Sequence, residues 1–399
     1  MTDDPSSVIR ISDVDIVFGR PKDTKAALEL LDAGMDRELI LSNTNAVIGV
    51  AGMNLTVYSG EVCVLMGRSG SGKSTILRAI NGLNRTTRGS ILVRYNGQMI
   101  NVTRCNQMVM KKLRQRHVAM VFQQVALFPW RTVRENVGFG LEIAGVSADK
   151  RQKIVDEKLE LVGLSGWGDK LATELSGGMQ QRVGLSRALA TDADILLMDE
   201  PFSSLDPLMR SKLQDELLEL QSKLHKTVLF VSHDLDEALK IGSHIAVMEG
   251  GRISQYGTPE EVVISPANDY IRDFVAHVNP LSVLSAYNVM RDVRDLKPAG
   301  EGWRWLEDSQ DTRLKLDVEG RVVACESHGK PVETISCDAW GRTDVASCNL
   351  IFLANVDLPL RCVVMFMHCN PASVGVVDEN NRLVGAIGVR DIMRSVLGR

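Results

Sequence analysis

One stretch limits what this chain can fold into more than any other: Gly67-Arg68-Ser69-Gly70-Ser71-Gly72-Lys73-Ser74-Thr75, entered from the apolar run Val62 to Met66 and left through Ile76, Leu77, Ala79 and Ile80 at helical spacing. The order is strand, glycine-rich loop, helix. Glycines let backbone N–H groups turn inward around phosphate oxygens, at the positive end of the helix that follows. Lys73 is placed to reach the β and γ oxygens of a nucleotide, and Ser74 to present a hydroxyl to Mg²⁺. This much predicts an α/β fold with a nucleotide site. It does not say what the nucleotide is for, because many chemistries share such a loop.

Later motifs narrow the choice. Leu175-Ser176-Gly177-Gly178-Met179-Gln180-Gln181-Arg182 opens a helix, so small residues and unpaired N–H groups sit at an anion-attracting end. Ile195-Leu196-Leu197-Met198-Asp199-Glu200-Pro201 reads as a buried strand that delivers two carboxylates at its carboxyl edge. Asp199 is placed to hold Mg²⁺ through water, and Glu200 to polarise an attacking water. Ser203-Ser204-Leu205-Asp206 then forms a turn, and the strand Thr227 to Val231 ends in Ser232-His233-Asp234, where His233 is the candidate γ-phosphate sensor. Alone, each piece has an ordinary reading: a Ser-Gly-Gly loop, a solvated acid pair, a structural histidine. Their order and their strand-end placement select the functional reading.

At 399 residues, two domains are expected, one large and one smaller. A formal net charge of -4 argues against a cationic nucleic-acid surface, so no nucleic-acid partner is expected. There is no apolar run of the roughly 18 residues a membrane span needs, and the N-terminus is acidic rather than a basic leader. Five of seven cysteines (Cys325, Cys337, Cys348, Cys362, Cys369) fall in the last quarter without Cys-x-x-Cys spacing, which reads as free thiols in a reducing compartment.

Gly67 to Thr75, Gln123, Leu175 to Arg182, Ile195 to Glu200, Ser204 to Asp206 and His233 resemble the Walker A, Q-loop, signature, Walker B, D-loop and H-loop of ATP-binding-cassette ATPases, across residues 8 to 279. The resemblance implies a RecA-like P-loop NTPase core with a helical subdomain at about residues 100–187, binding ATP and Mg²⁺. It implies phosphates cradled by Gly67, Arg68, Ser69, Gly70, Ser71, Gly72, Lys73, Ser74 and Thr75, and a metal held by Ser74, Gln123 and Asp199. Catalysis falls to Glu200, His233, Gln123 and Lys73. It also implies a head-to-tail homodimer, in which Ser176, Gly177 and Gly178 of one subunit complete the site of the other and Asp206 lies at the nucleotide. Phe18, at the end of the first strand, resembles the family's adenine-stacking aromatic; its alternative is a core phenylalanine.

Between that strand and the phosphate loop lies an insertion, Gly19 to Ile48, with helical runs Ala26 to Leu31 and Arg37 to Leu41 around Gly34. With Met120 to Gln123, His233 to Ala238 and Pro266 to Tyr270, it resembles the ATPase subunit of glycine betaine, proline betaine and choline importers. This implies membrane-spanning permease subunits, a separate extracytoplasmic binding protein that selects the quaternary amine, and a peripheral place on the cytoplasmic face of the inner membrane. Phe128-Pro129-Trp130-Arg131-Thr132-Val133 is where a permease helix would dock, with Trp130 an interface anchor or else a core residue. Cassette proteins of DNA repair and translation are the other class. Those usually carry two cassettes or a long coiled-coil insertion, and neither is present. An exporter ATPase is a third reading, weakened by the lack of fused membrane helices.

From about Val278 the motifs stop, and residues 280–399 read as a small α+β domain. Leu284 to Asp292 and Ser373 to Ile392 resemble the two ends of a CBS regulatory module, with a hairpin from Val376 to Gly388 turning at Asn380-Asn381. Pro298 to Arg361 departs from that pattern, so the module is expected to be degenerate. Trp303, Trp305 and Trp340 invite comparison with an aromatic cage for a quaternary ammonium, although core packing is the simpler expectation.

Overall fold

The computed structural model describes residues 4–203, 205–307, 311–336, 350–369 and 373–397. Ser204, Cys337, Trp340 and Cys348 therefore lie outside the described residues. The chain divides into two compact units, Met1–Val262 with Ala267–Ile271, and Val263–Pro266 with Arg272–Arg399.

In the first unit, the six-stranded sheet runs Arg252–Gly257, His244–Glu249, Val62–Met66, Thr227–Ser232, Ile195–Asp199, Val118–Val121. All its pairs are parallel except the edge strand Arg252–Gly257. Val62–Met66, Ile195–Asp199 and Thr227–Ser232 are buried at every residue. Continuous apolar runs are what a sheet covered on both faces demands, and this is why they were legible as strands without alternation. Register pairs Met66 with Ser232 and Asp199 with Val231, so three neighbouring strands end at one edge.

A second, antiparallel sheet runs Val47–Tyr58, Ser7–Phe18, Arg88–Tyr95, Gln98–Asn101. Ile9, Ile11, Met53 and Val93 from it share one core with Leu65, Leu197 and Leu229, and with Ile76, Leu77 and Ile80 of the Lys73–Ile80 helix. The expected helical stretch of about 100–187 is narrower than the sequence suggested. Val118–Val121 pairs with Ile195–Asp199 in the main sheet, and Met110 and Leu113 of the Gln107–Arg116 helix belong to the shared core. The helical layer is instead Val133–Ile143, Ala148–Leu161 and Gly177–Ala190, packed on one another.

The insertion is an elaborated hairpin. Phe18 pairs with Val47, so the chain leaves and re-enters the antiparallel sheet at adjacent positions. Between them stand helices Pro21–Asp32 and Arg37–Thr44, both longer than the apolar runs that announced them, with Gly34 at φ +79° in the turn and Asp36 capping Glu38 N. Ala27, Leu28, Leu31 and Ile40 form a core of their own against Ala46, Ile48 and Ala51.

The second unit carries an eight-stranded mixed sheet, in order Arg291–Asp292, Leu383–Ile387, Val374–Val377, Leu350–Asn355, Lys330–Ser336, Val322–Ser327, Thr312–Leu316, Trp303–Trp305. The expected hairpin is present between Val374–Val377 and Leu383–Ile387; Asn381 takes φ +60°, and Asp378 Oδ1 accepts from Asn380 N and Arg382 N. The anomalous middle holds the antiparallel strands Trp303 to Ser336. Arg313 lies 4.5 Å from the Trp303 ring centroid and 5.6 Å from that of Trp305, with Lys315 5.9 Å from Trp303. The chain's own cations thus already make with Trp303 and Trp305 the contacts a cage would offer to a ligand. Cys63, Cys105, Cys325 and Cys362 are free thiols, and burial pushes Cys325 up to about 12.

Because Ile40 is fully buried in the insertion's separate core, Ile40→Ala should lower the free energy of opening there by about 2–5 kcal/mol. Hydrogen exchange should accelerate across 21–44 while Val62–Met66 keeps its protection; faster exchange in both would show that the insertion is not an independent unit.

Candidate active site

The phosphate loop is wedged between the two sheets. A Cβ on Gly67, at φ +144°, would come within 2.1 Å of Met248 O, and one on Gly72, at φ +102°, within 2.3 Å of Gly49 O. Only glycine fits either position. Gly72 leads into the Lys73–Ile80 helix, and Lys73 turns back so that Nζ donates to Gly67 O at 2.7 Å and Arg68 O at 3.1 Å. Burial lowers the Lys73 pKa, while the carboxylates of Glu200 and Asp199 act in the opposite direction. The Ser71 hydroxyl is buried, 3.0 Å from the Cβ position at Gly67, and has no hydrogen-bond partner. A buried orphan donor in a ring of glycines and a lysine fits a phosphate group, whose oxygens would satisfy it.

The acid-ended strand meets the loop from the side. Ser74 Oγ donates to Asp199 Oδ1 at 2.6 Å, and Arg78 Nη2 lies 3.2 Å from Asp199 Oδ2. A hydroxyl beside a buried carboxylate is the hard-oxygen pair that suits Mg²⁺. No motif singles out Arg78. Its signal is spacing, because four residues after Ser74 it lies on the same helix face.

Glu200 is a backbone exception, at φ +48° in the left-handed region, a conformation that costs a non-glycine residue on the order of 1–3 kcal/mol. Its N–H donates to Val231 O at 3.1 Å, which ties the turn to the neighbouring strand. There its Oε2 accepts from Gln123 Nε2 at 3.1 Å and lies 3.2 Å from His233 Nδ1. Glu200 is 16% exposed at its side chain and His233 60%. One mostly covered carboxylate therefore joins three motifs that are widely separated in sequence. The turn carrying His233 is held in its own right: Asp234 N donates to Ser232 Oγ, Ser232 Oγ to Glu237 Oε2, and Arg210 pairs with Asp234. Burial pushes the Glu237 carboxyl up, against hydrogen bonds from Ser232 and Gln214.

Phe18 stands beside the end of the phosphate loop. Its Cε2 lies 2.8 Å from where Gly49 would carry a Cβ, Thr75 Cγ2 lies 3.1 Å from the same point, and the residue remains 44% exposed. It is not a core phenylalanine. Ser176, Gly177 and Gly178 are placed differently, at the start of the Gly177–Ala190 helix, where Ser176 Oγ accepts from Met179 N at 3.4 Å. Among the described residues no hydrogen bond joins these three to the phosphate loop. Asp206 likewise caps a helix, Pro207–Leu224, accepting from Met209 N at 3.0 Å.

A family profile described as "ABC transporter" matches residues 50–203. Over 283 residues the chain is 47% identical to the glycine betaine transport ATP-binding protein OpuAA of Bacillus subtilis (strain 168), a match covering 71% of this chain and 66% of that protein. Over 391 residues it is 38% identical to the glycine betaine/proline betaine transport system ATP-binding protein ProV of Escherichia coli (strain K12), covering 95% of each. The chain also matches a solved dimeric, post-hydrolysis state of the ATP-binding cassette MJ0796 bound to ADP and Pi, with TM-score 0.54 and 27% identity over 63% of this chain and 98% of that one. With a relative matched along nearly its whole length and the phosphate loop, acid strand and His233 converging on one sheet edge, the chain belongs to the ATP-binding proteins of ABC transporters.

Proposed function

We propose that this chain hydrolyses Mg-ATP to energise import of a quaternary amine of the glycine betaine, proline betaine or choline kind. The observation that carries the catalytic half is the Glu200 carboxylate held between Gln123 and His233. Lys73 and the loop N–H groups neutralise and orient the phosphates. Ser74, Asp199 and Gln123 would hold Mg²⁺, which when bound neutralises phosphate charge. Glu200 would take a proton from the attacking water as its oxygen bonds the γ-phosphorus and the bridging P–O bond to ADP breaks, while His233, 3.2 Å from that carboxylate, would contact the γ-phosphate. Phe18 offers the adenine a π-face. Ser176, Gly177 and Gly178 are available to a second copy, and a head-to-tail dimer would use them there. That assignment is supported by a glycine at 177 whose Cβ position meets nothing within 4 Å.

The transport half rests on the likeness to ProV and on the helical insertion. Among the described residues no helix is long and apolar enough to cross a membrane; the chain would sit at the cytoplasmic face of the inner membrane under permease subunits, with an extracytoplasmic protein choosing the substrate. Trp130, 73% exposed, stands at the rim of a cleft of about 610 Å³ lined also by Arg131, Arg134, Glu142 and Arg151. Asn136 fastens this rim by donating to Phe128 O, Arg131 O and Thr132 O. An exposed aromatic on a braced rim supports docking of a permease helix. In the tail, Leu350–Asn355, Leu360–Cys369, Val374–Val377, Leu383–Ile387 and Val389–Leu397 follow one another as strand, helix, strand, strand, helix. This succession supports a CBS-like regulatory domain.

Glu200→Gln keeps the shape and loses the charge, so turnover should fall about 10²- to 10⁴-fold while ATP binding persists; near-normal turnover would remove Glu200 from the role. Deleting the gene should abolish ATP-driven uptake of at least one of labelled glycine betaine, proline betaine and choline, and intact uptake of all three would refute the substrate class. Restoring uptake with a chain ending at Asn279 should give a response to salt that differs from the full chain's. Identical responses across the series would leave the tail without a regulatory role.

A further inference from the structure

We propose that Arg37, in the insertion, and Tyr270, at the cassette's exit, are positioning residues for ATP. From outside the glycine-rich motif, they hold the two peptide groups that aim the phosphate loop inward.

A trans peptide is planar, and its C=O and N–H point in opposite directions, so holding one outward fixes the other inward. The Gly67–Arg68 peptide is held in this way: Arg68 N–H donates outward to Tyr270 Oη at 3.2 Å, and Gly67 O accepts from Lys73 Nζ at 2.7 Å on the inner side. The Gly70–Ser71 peptide is its mirror. Gly70 O accepts outward from Arg37 Nη1 and Nη2, both at 3.4 Å, and Ser71 N–H donates inward to Arg68 O at 3.2 Å. Arg68 O also accepts from Lys73 Nζ, so the inner partners converge on the lysine the phosphates need.

Neither brace is a loose side chain. Arg37 opens the Arg37–Thr44 helix, which Asp36 caps and the fully buried Ile40 anchors, and its Cδ lies 4.0 Å from the Cβ position of Gly250. Tyr270 is half-buried, and its ring sits under the Arg68 guanidinium at 5.3 Å. Asn268 Oδ1 accepts from Ile271 N at 2.9 Å, and Gln255 Oε1 from Ala267 N at 2.9 Å, so the backbone on both sides of the tyrosine is fastened. Gly70 itself, at φ +78°, has nothing within 4 Å of its Cβ position, so that side of it is open. A charged donor on its carbonyl supplies what packing does not.

A brace that shapes the loop acts on ATP binding in the ground state and the transition state alike, so it moves KM and spares kcat. The full-length chain is the material, with ATP affinity measured by calorimetry in a Glu200→Gln background and KM and kcat measured without it. Arg37→Ala and Tyr270→Phe should each weaken ATP binding about 3- to 10-fold, the size expected for one lost hydrogen bond, with kcat at saturating ATP within about twofold. Arg37→Lys, which can still donate to Gly70 O, should recover part of the loss. Tyr270→Phe keeps the ring under Arg68 and removes only the hydroxyl, so an effect there isolates the Arg68 N–H. ATP affinity within about twofold of the parent in both variants overturns the proposal. So does an equal loss in Arg37→Lys and Arg37→Ala accompanied by a fall in nucleotide-free Tm, since that marks a structural role. Lys73→Ala in the same titration separates the two levels: if it binds ATP normally, the loop is not the phosphate cradle; if it alone loses binding, only the brace falls.

Discussion

The site depends on backbone meeting backbone. Gly67 lies against Met248 O and Gly72 against Gly49 O, so the phosphate loop is clamped between a strand of the parallel sheet and a strand of the antiparallel one. A Cβ at either place would come within 2.1–2.3 Å of a carbonyl oxygen, well inside van der Waals contact, and a carbonyl in a paired strand has no room to retreat. The antiparallel sheet is therefore a wall of the phosphate loop, although Asp199, Glu200 and His233 all come from elsewhere. The same closeness places Phe18: Gly49, which admits the loop on one side, admits the phenylalanine ring on the other.

From that clamp the chemistry follows by register. Strands about 4.8 Å apart that end together bring Ser74, Asp199 and the turn after Ser232 within side-chain reach of one another. Glu200 then has to leave the strand in a direction an ordinary turn would not give. The left-handed conformation costs on the order of 1–3 kcal/mol, offset by its N–H bond to Val231 O and by the fully buried strands on each side. The strain has a use, since it carries the carboxylate to Gln123 and His233 instead of into solvent.

The second unit follows other rules. In the sequence its tryptophans read first as core residues and only second as a ligand cage; Arg313 and Lys315, two residues apart on one strand, lie on the Trp303 and Trp305 rings across a hairpin. Period-two alternation put those cations on one face. No composition argument could pair them with the tryptophans before the register was known.

What the sequence determined by itself is the set of parts whose chemistry is local. A glycine-rich loop between strand and helix, two acids at the end of an apolar strand, a histidine after another and an Asn-turn hairpin are each readable because short-range spacing and backbone preference produce them. The tertiary structure decided everything that joins segments far apart in the chain. It drew Val118–Val121 out of the helical stretch into the main sheet, because four apolar residues had an open parallel edge to pair with at Ile195–Asp199. It left Trp130 exposed instead of in the core, set Arg78 on Asp199, and folded an insertion that looked peripheral back onto Gly70 through Arg37. Such contacts follow from how sheets stack and where hairpins return, and a linear pattern carries no record of either.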